Sequence, residues 1–178
     1  MGSDAAPARA DFRFAAAAAE QVAGLKSMGD NAGVSVSLAI DDGALAVKGD
    51  PGKLRQVFAN LIGNAIKFTA AGGTVFVDAE CQSDGATTIF VRDTGVGMDA
   101  DELEVALAPF GQVDGTRTRW REGTGLGLPI AKALIELHGG RLAINSVKSV
   151  GTEVRVELPS PLLVNFMQQD LGIQSARV

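Results

Sequence analysis

The sequence predicts an α/β domain, a two-layer sandwich in which helices cover one face of a sheet built largely from hairpins. Three observations predict it. Helical and β-like segments follow one another as helix, hairpin, helix, hairpin, loop, helix, hairpin, a layered order and not that of a doubly wound parallel sheet. Near the end, Val154, Val156 and Leu158 alternate with Glu153, Arg155 and Glu157, so one sheet face is solvated and helices cover only the other. Finally, 178 residues of which 46% are hydrophobic and 21% charged suffice for one full core and exclude a disordered chain.

The elements follow in order. Residues 1–10, MGSDAAPARA, read as a leader or expression remnant outside the fold. The alanine-rich run Phe14–Lys26 favours helix, and the Gly-Asp-Asn-Ala-Gly run from Gly29 reads as its stop. Val34–Ile40 alternates as a strand does, with Ala44–Lys48 as a pairing partner beyond the Asp-Asp-Gly turn. Asp50-Pro51 starts a second helix, with Asp as the cap and Pro in the first turn, running to about Thr69 before Ala71-Gly72-Gly73. Thr74–Glu80 and Thr87–Arg92 form a hairpin about Ser83-Asp84-Gly85. An irregular glycine-rich stretch, 93–127, holds a short helix at Asp101–Leu107. Leu128–Leu137 is helical and closed by Gly139-Gly140, and Arg141–Val147 with Thr152–Leu158 make the last hairpin.

Charge and cysteine content narrow the function classes. The net charge of −5 argues against a nucleic-acid binder. The single Cys81 excludes a disulfide framework and is expected as a small core residue in its strand. No run approaches the roughly 18 apolar residues of a membrane span. Neither does Met1-Gly2-Ser3 open a signal peptide, so a cytoplasmic domain without direct membrane contact is expected.

Four motifs carry chemistry. In the Asp50 helix, Leu54, Val57, Leu61, Ala65 and Phe68 form the stripe expected to pack on the sheet. Asn60, Asn64 and Lys67 lie within about 60° of one another on a second stripe. Amide oxygens suit a hard cation such as magnesium, and the ammonium suits phosphate, although an ordinary polar helix flank looks the same. Asp93-Thr-Gly95-Val-Gly97-Met98 leaves a strand end, where a carboxylate can accept from an exocyclic amino group and glycines let backbone approach a flat ligand. A plain Asp-Thr-Gly turn reads alike. Gly123-Thr124-Gly125-Leu126-Gly127 opens a helix, an anion site by its exposed N–H groups, while matching neither the dinucleotide fingerprint nor the common phosphate loop. Between these, Ala108–Glu122 is polar and basic, with Arg117, Arg119 and Arg121 alternating, and reads as a lid or a solvated loop. Trp120 stacks on a ligand or packs the lid onto its own core.

Taken in order, these motifs resemble the catalytic ATP-binding domain of two-component sensor histidine kinases, over roughly residues 11–159. RQVFANLIGNAIKFT resembles the N box, DTGVGM the G1 box, APFGQVD the F box and GTGLGLPIAK the G2 box. The resemblance implies the Bergerat fold, with a mixed, mostly antiparallel sheet and about three helices on one face. It implies ATP and Mg2+ as cofactors, with Asn64 as metal ligand, Asn60 beside it and Lys67 near the phosphates. Asp93 takes the adenine amino group, Gly95 and Gly97 shape the pocket, and Thr152 backs up that contact. Phe110 anchors the lid, about residues 99–123. Gly123, Thr124, Gly125, Leu126 and Gly127 line the triphosphate side, and Arg117 or Arg119 meets the γ-phosphate.

Two departures refine what the resemblance implies. Where ATP hydrolases of the superfamily carry a Glu, position 60 is Asn, with no carboxylate to accept a proton from water. That favours phosphoryl transfer to a protein side chain over hydrolysis. The single histidine, His138 in ELHGG, matches the family's structural histidine and not the phosphoacceptor. The chain is therefore expected to bind ATP without phosphorylating itself. Its expected partner is the phosphoacceptor-histidine dimerisation domain of the same kinase, with a response regulator receiver domain served indirectly. Alone it is expected to be a monomer, free in the cytoplasm or part of the cytoplasmic portion of a membrane-anchored kinase. The other reading is a non-catalytic nucleotide-sensing or docking module. Residues 160–178 read as a C-terminal tail or linker.

Overall fold

The computed structural model describes residues 10–13, 24–39, 46–111 and 125–160. Helix α2, Pro51–Phe68, is the axis of the helical layer. Asp50 caps it, its Oδ1 accepting from the N–H groups of Gly52 (2.9 Å) and Lys53 (3.1 Å), so orphan donors of the first turn are satisfied. Leu54, Val57, Phe58, Leu61, Ile62, Ala65 and Ile66 are its buried residues. Phe68 is not among them. Expected on the core stripe, it is 39% exposed, because it is the last residue of the helix, where the stripe runs off the end of the core. The Thr69 hydroxyl closes the helix by donating to the Ala65 carbonyl at 2.7 Å.

Strands β1 (Ala10–Arg13), β2 (Ser35–Ala39), β3 (Ala46–Gly49), β4 (Thr74–Cys81), β5 (Thr87–Asp93), β6 (Arg141–Val147) and β7 (Gly151–Leu158) form two sheets. The larger has the order β2-β4-β5-β7-β6, with β2 parallel to β4 and every other pairing antiparallel. The mixed, mostly antiparallel sheet is therefore as expected. Its edge is not. Strand β3 pairs with β1 in an antiparallel ribbon, Ala10 opposite Gly49, rather than with β2. Strand β2 lies along β4 instead, and a parallel pair needs a long crossover, which the segment containing α2 supplies. Ala10 consequently belongs to a strand and not to a leader.

Helices α1 (described over 24–32), α2 and α4 (Gly127–Leu137) cover one face of the sheet. Val75, Val77, Ile89, Val91, Val154, Val156 and Leu158 meet α2 and the Ala131–Ile135 side of α4 in a single core. Helix α3, Ala100–Leu107, buries no residue and rides on the rim. Helix α1 ends inside the Gly-Asp-Asn-Ala-Gly run, as that run predicts. It continues to residue 32 and turns at Gly33. A Cβ on Gly29 would stand 2.7 Å from a Val36 methyl, so this glycine serves close helix–strand packing rather than termination. The first half of the alanine-rich run, 14–23, lies outside the described residues.

The opposite face is polar, as the alternation in β7 requires. Arg92 there bridges Glu153 and Asp78, both at 2.6 Å, and lies over the Phe90 ring. Cys81, expected in the core, is exposed at the end of β4, where the strand has run past the helical layer. Among the described residues no helix is long and apolar enough to cross a membrane.

Candidate functional site

The outer edge of α2 carries Asn60, Asn64 and Lys67 in one row beside a groove of about 580 Å3 walled by Met28, Ala32 and Gly63. The Asn60 amide donates to the carbonyl of Gly127, the first residue of α4, at 3.3 Å. A Cβ on Gly127 would lie 3.7 Å from both the Asn60 Cγ and the Asn64 Nδ2, so the glycine-rich start of α4 stands against this edge. The Asn64 side chain makes no hydrogen bond among the described residues, and its amide oxygen is available to a ligand. Lys67 holds its ammonium 5.1 Å from the centre of the Phe68 ring.

Asp93 ends β5 at the same rim. Its Oδ1 accepts from the N–H of Gly95 at 2.8 Å and from the N–H of Thr152 at 3.3 Å, while Oδ2 has no protein partner among the described residues. Burial raises its pKa above the usual carboxylate value, and the two backbone donors pull the other way. The result is an oriented carboxylate with one oxygen held and one free. The loop after it is fixed on both sides. Val96 donates to the Phe68 carbonyl at 3.1 Å, and a Cβ on Gly95 would collide with that same oxygen. Gly97 has φ +60° and lies so close to the Val147 carbonyl that there is no room for a Cβ. Ser149 returns a hydrogen bond to Val96, at 2.6 Å, and Met98 donates to the Ser146 hydroxyl at 2.8 Å.

Past α3 the chain reaches Phe110, which is 73% exposed with φ +62°, and then Gly111. A Cβ on Gly125 would stand 2.8 Å from the Gly111 carbonyl, so Gly111 and Gly125 lie against each other, two residues before the start of α4. Leu126 occupies the cap position of α4 without a side-chain cap bond. Arg117, Arg119, Trp120, Gly123 and Thr124 lie outside the described residues. Thus Asn60, Asn64, Lys67 and Gly127 share one edge, and Asp93, Gly95 and Thr152 a second that meets it at the Phe68 carbonyl, with Gly97 packed on the β6–β7 hairpin and Gly125 beside Phe110.

Two residues there escaped the sequence reading. By its angle on the helix Phe68 belongs to the core stripe, yet its carbonyl accepts from Val96 of the Asp93 loop and its ring is partly exposed beside Lys67. Ser146 gave a fainter signal, a hydroxyl standing where Leu142 and Ile144 set an apolar alternation in β6. His138 is structural, as its motif implied: Nε2 accepts from the Asp50 N–H at 3.1 Å, and Nδ1 donates to the Leu134 carbonyl at 2.6 Å.

Residues 49–162 match the family described as the histidine kinase-, DNA gyrase B- and HSP90-like ATPases. The chain belongs to this family. Its relatives place it on the histidine kinase side. It is 42% identical over 149 residues to the histidine protein kinase DivJ of Caulobacter vibrioides, across 84% of this chain and 24% of that protein. To the cell-division control histidine kinase PdhS of Brucella anthropi it is 37% identical over 151 residues, across 80% of this chain and 14% of PdhS. The chain thus spans about a quarter or less of these relatives. Full-length ShkA, solved in complex with AMPPNP, superposes with a TM-score of 0.74 at 26% identity, over 89% of this chain and 32% of ShkA. The nucleotide-free catalytic domain of histidine kinase ThkA superposes with a TM-score of 0.72 at 23% identity, over 85% of this chain and 95% of that one, and shows the shared fold. This is a histidine kinase-type ATPase domain.

Proposed function

We propose that this chain, over residues 11–159, binds Mg·ATP on this rim and delivers the γ-phosphoryl group to a histidine on a separate dimerisation segment. The observation that carries the reading is Asp93, whose one free oxygen is oriented by two backbone donors at the mouth of a two-glycine loop. A carboxylate so held is an acceptor for the exocyclic amino group of adenine, with Thr152 next to it and Gly95 and Gly97 shaping the floor. ShkA, the AMPPNP-bound relative, shares the fold, which supports a nucleotide in this place.

The remaining residues take roles along the triphosphate. Asn64, with an uncommitted amide oxygen, would hold magnesium. No cluster of three or more His, Cys, Asp or Glu residues suited to a metal occurs among the described residues, so the nucleotide's own oxygens would complete its shell. When bound, that ion neutralises phosphate charge and orients the β- and γ-phosphates. Asn60, tied to Gly127, aligns the N-box edge with the start of α4. Lys67 offers a point charge, Gly123 to Gly127 offer backbone N–H groups, and Phe110 anchors the lid that carries Arg117 and Arg119 to the γ-phosphate. Asn60 cannot serve as a general base toward water, which supports transfer over hydrolysis.

Both ring nitrogens of His138 are committed to backbone, so the acceptor lies elsewhere. The natural partner is the phosphoacceptor domain of the same kinase, with a receiver domain downstream, and the isolated chain is monomeric and works on the cytoplasmic side. The test is phosphotransfer in trans. The chain is mixed with labelled ATP and a separately produced dimerisation segment of a related kinase such as DivJ. Acid-labile, base-stable label on that segment, absent with Asn64→Ala, is the expected result. Label on neither protein, or free phosphate released at the same rate without the segment, contradicts the proposal.

A further inference from the structure

The first turn of α3 is held from outside by a single side chain. Lys148, in the turn between β6 and β7, donates from its ammonium to Asp99 Oδ2 at 2.9 Å and to Glu102 Oε1 at 2.7 Å. Asp99 and Glu102 are also the two halves of the α3 capping box. Asp99 Oδ1 accepts from the Glu102 N–H and Glu102 Oε2 from the Asp99 N–H, each at 2.9 Å. Each carboxylate thus caps the helix with one oxygen and meets Lys148 with the other. The ammonium is held above the ordinary lysine value, by Glu102 first and Asp99 second, and Lys148 in turn is the first cause that holds Asp99 below the ordinary carboxylate value. Little else restrains this helix. It buries no residue, and among the described residues no other ion pair or side-chain hydrogen bond reaches it from another element.

We propose that Lys148 is a positioning residue that, by fixing α3 to the β6–β7 hairpin, sets the start of α4 for the phosphates of the nucleotide. The inference rests on the reading of this site as the Mg·ATP site. The hairpin is a firm base for such a clamp. Ser149 donates to the Val96 carbonyl at 2.6 Å and Met98 to the Ser146 hydroxyl at 2.8 Å, so the loop between Asp93 and Asp99 is already tied to it. From α3 the contact passes on through backbone. A Cβ on Gly111 would collide with the Val105 carbonyl, and one on Gly125 would stand 2.8 Å from the Gly111 carbonyl. Gly125 lies two residues before α4, whose Gly127 carbonyl accepts from the Asn60 amide. A swing of α3 therefore shifts the start of α4 against Asn60 and Asn64. An exposed ion pair adds little to global stability, but a helix that buries nothing is reoriented at small cost, so here a weak clamp suffices. The Lys148 charge acts on α3 and not on the nucleotide.

Calorimetric titration with Mg·AMPPNP, and amide hydrogen exchange of the free chain, on the parent, Lys148→Ala, Lys148→Arg, Glu102→Gln and Asp93→Ala, test this. In Lys148→Ala, exchange across Ala100–Leu107 is expected to rise about fivefold while β5 and β7 keep theirs, and AMPPNP affinity to fall by about the same factor, the scale of an exposed ion-pair network. Lys148→Arg, which keeps the charge and the reach, should restore both. Glu102→Gln keeps an oxygen for the Asp99 N–H and leaves the Lys148 charge in place, and it should weaken AMPPNP in the same direction. A merely stabilising pair predicts a lowered melting temperature with AMPPNP affinity unchanged well below it, and that result overturns the inference. So does a Glu102→Gln variant that binds as tightly as the parent or more so, which would put the Lys148 charge to work on the nucleotide itself. Either result, with AMPPNP lost in Asp93→Ala, leaves the site reading standing. No binding by the parent chain, or full binding by Asp93→Ala, overturns the site reading and this inference with it.

Discussion

At the scale of single residues, Asp93 shows how a binding group is held against its own stability. Burial disfavours its charge, and two N–H donors offset only part of that. Because its folded pKa is raised, the folded state binds more protons than the unfolded one as the pH climbs through the acid range. Its contribution to stability is therefore most favourable at low pH, declines as pH rises through the raised value, and is a net cost at neutral pH. Asp93→Asn keeps an oxygen for Gly95 and Thr152 and removes the charge. Its melting temperature at pH 7 should equal or exceed that of the parent, while ATP affinity falls about tenfold or more as an amide donor meets the adenine amino group. A variant that unfolds would show the carboxylate to be structural. Asn64→Ala separates the metal from the base. Calorimetry in EDTA should find its nucleotide affinity unchanged, and added magnesium should no longer raise it.

At the scale of elements, the rim depends on how α2, α4 and two hairpins are tied together. His138 links the end of α4 to the cap residue of α2 through the Asp50 N–H. His138→Ala leaves that donor and the Leu134 carbonyl without their partner, a loss of about 1–3 kcal/mol that urea unfolding would report. Ile135, fully buried where α4 meets the core, should cost about 2–5 kcal/mol when cut to Ala, and the damage should spread to the Gly127 end of the same helix. Local signals made most of these elements legible: the Asp50-Pro51 start, the turn at Gly85 and the alternation in β7 are statements about neighbours in the chain. What was not legible is long-range. No local pattern says that β2 takes β4 and leaves β3 to β1, because a strand edge is satisfied by whichever partner the packing brings. The stop at Gly33 is such a local signal, whereas only the proximity of Val36 shows why the helix needs glycine at position 29. The site divides likewise. Asp93 and the Asn60, Asn64, Lys67 row were readable from type and spacing, whereas Phe68 and Ser146 act through a carbonyl and a hydroxyl that meet distant loops.

At the scale of the whole molecule, the described residues form one sandwich whose helical layer and strand ends meet at the candidate site, while the far sheet face is polar and carries the Arg92 network. The relatives DivJ and PdhS are several times longer than this chain, which spans 24% and 14% of them. On the proposed function, the site holds Mg·ATP through Asp93. Calorimetric titration of the chain with AMPPNP, with magnesium and with EDTA, beside Asp93→Asn, tests it most directly. Binding strengthened by magnesium and lost in a folded Asp93→Asn is the predicted result. A parent chain that takes up no heat with AMPPNP, or an Asp93→Asn variant that binds as well as the parent, would contradict the claim.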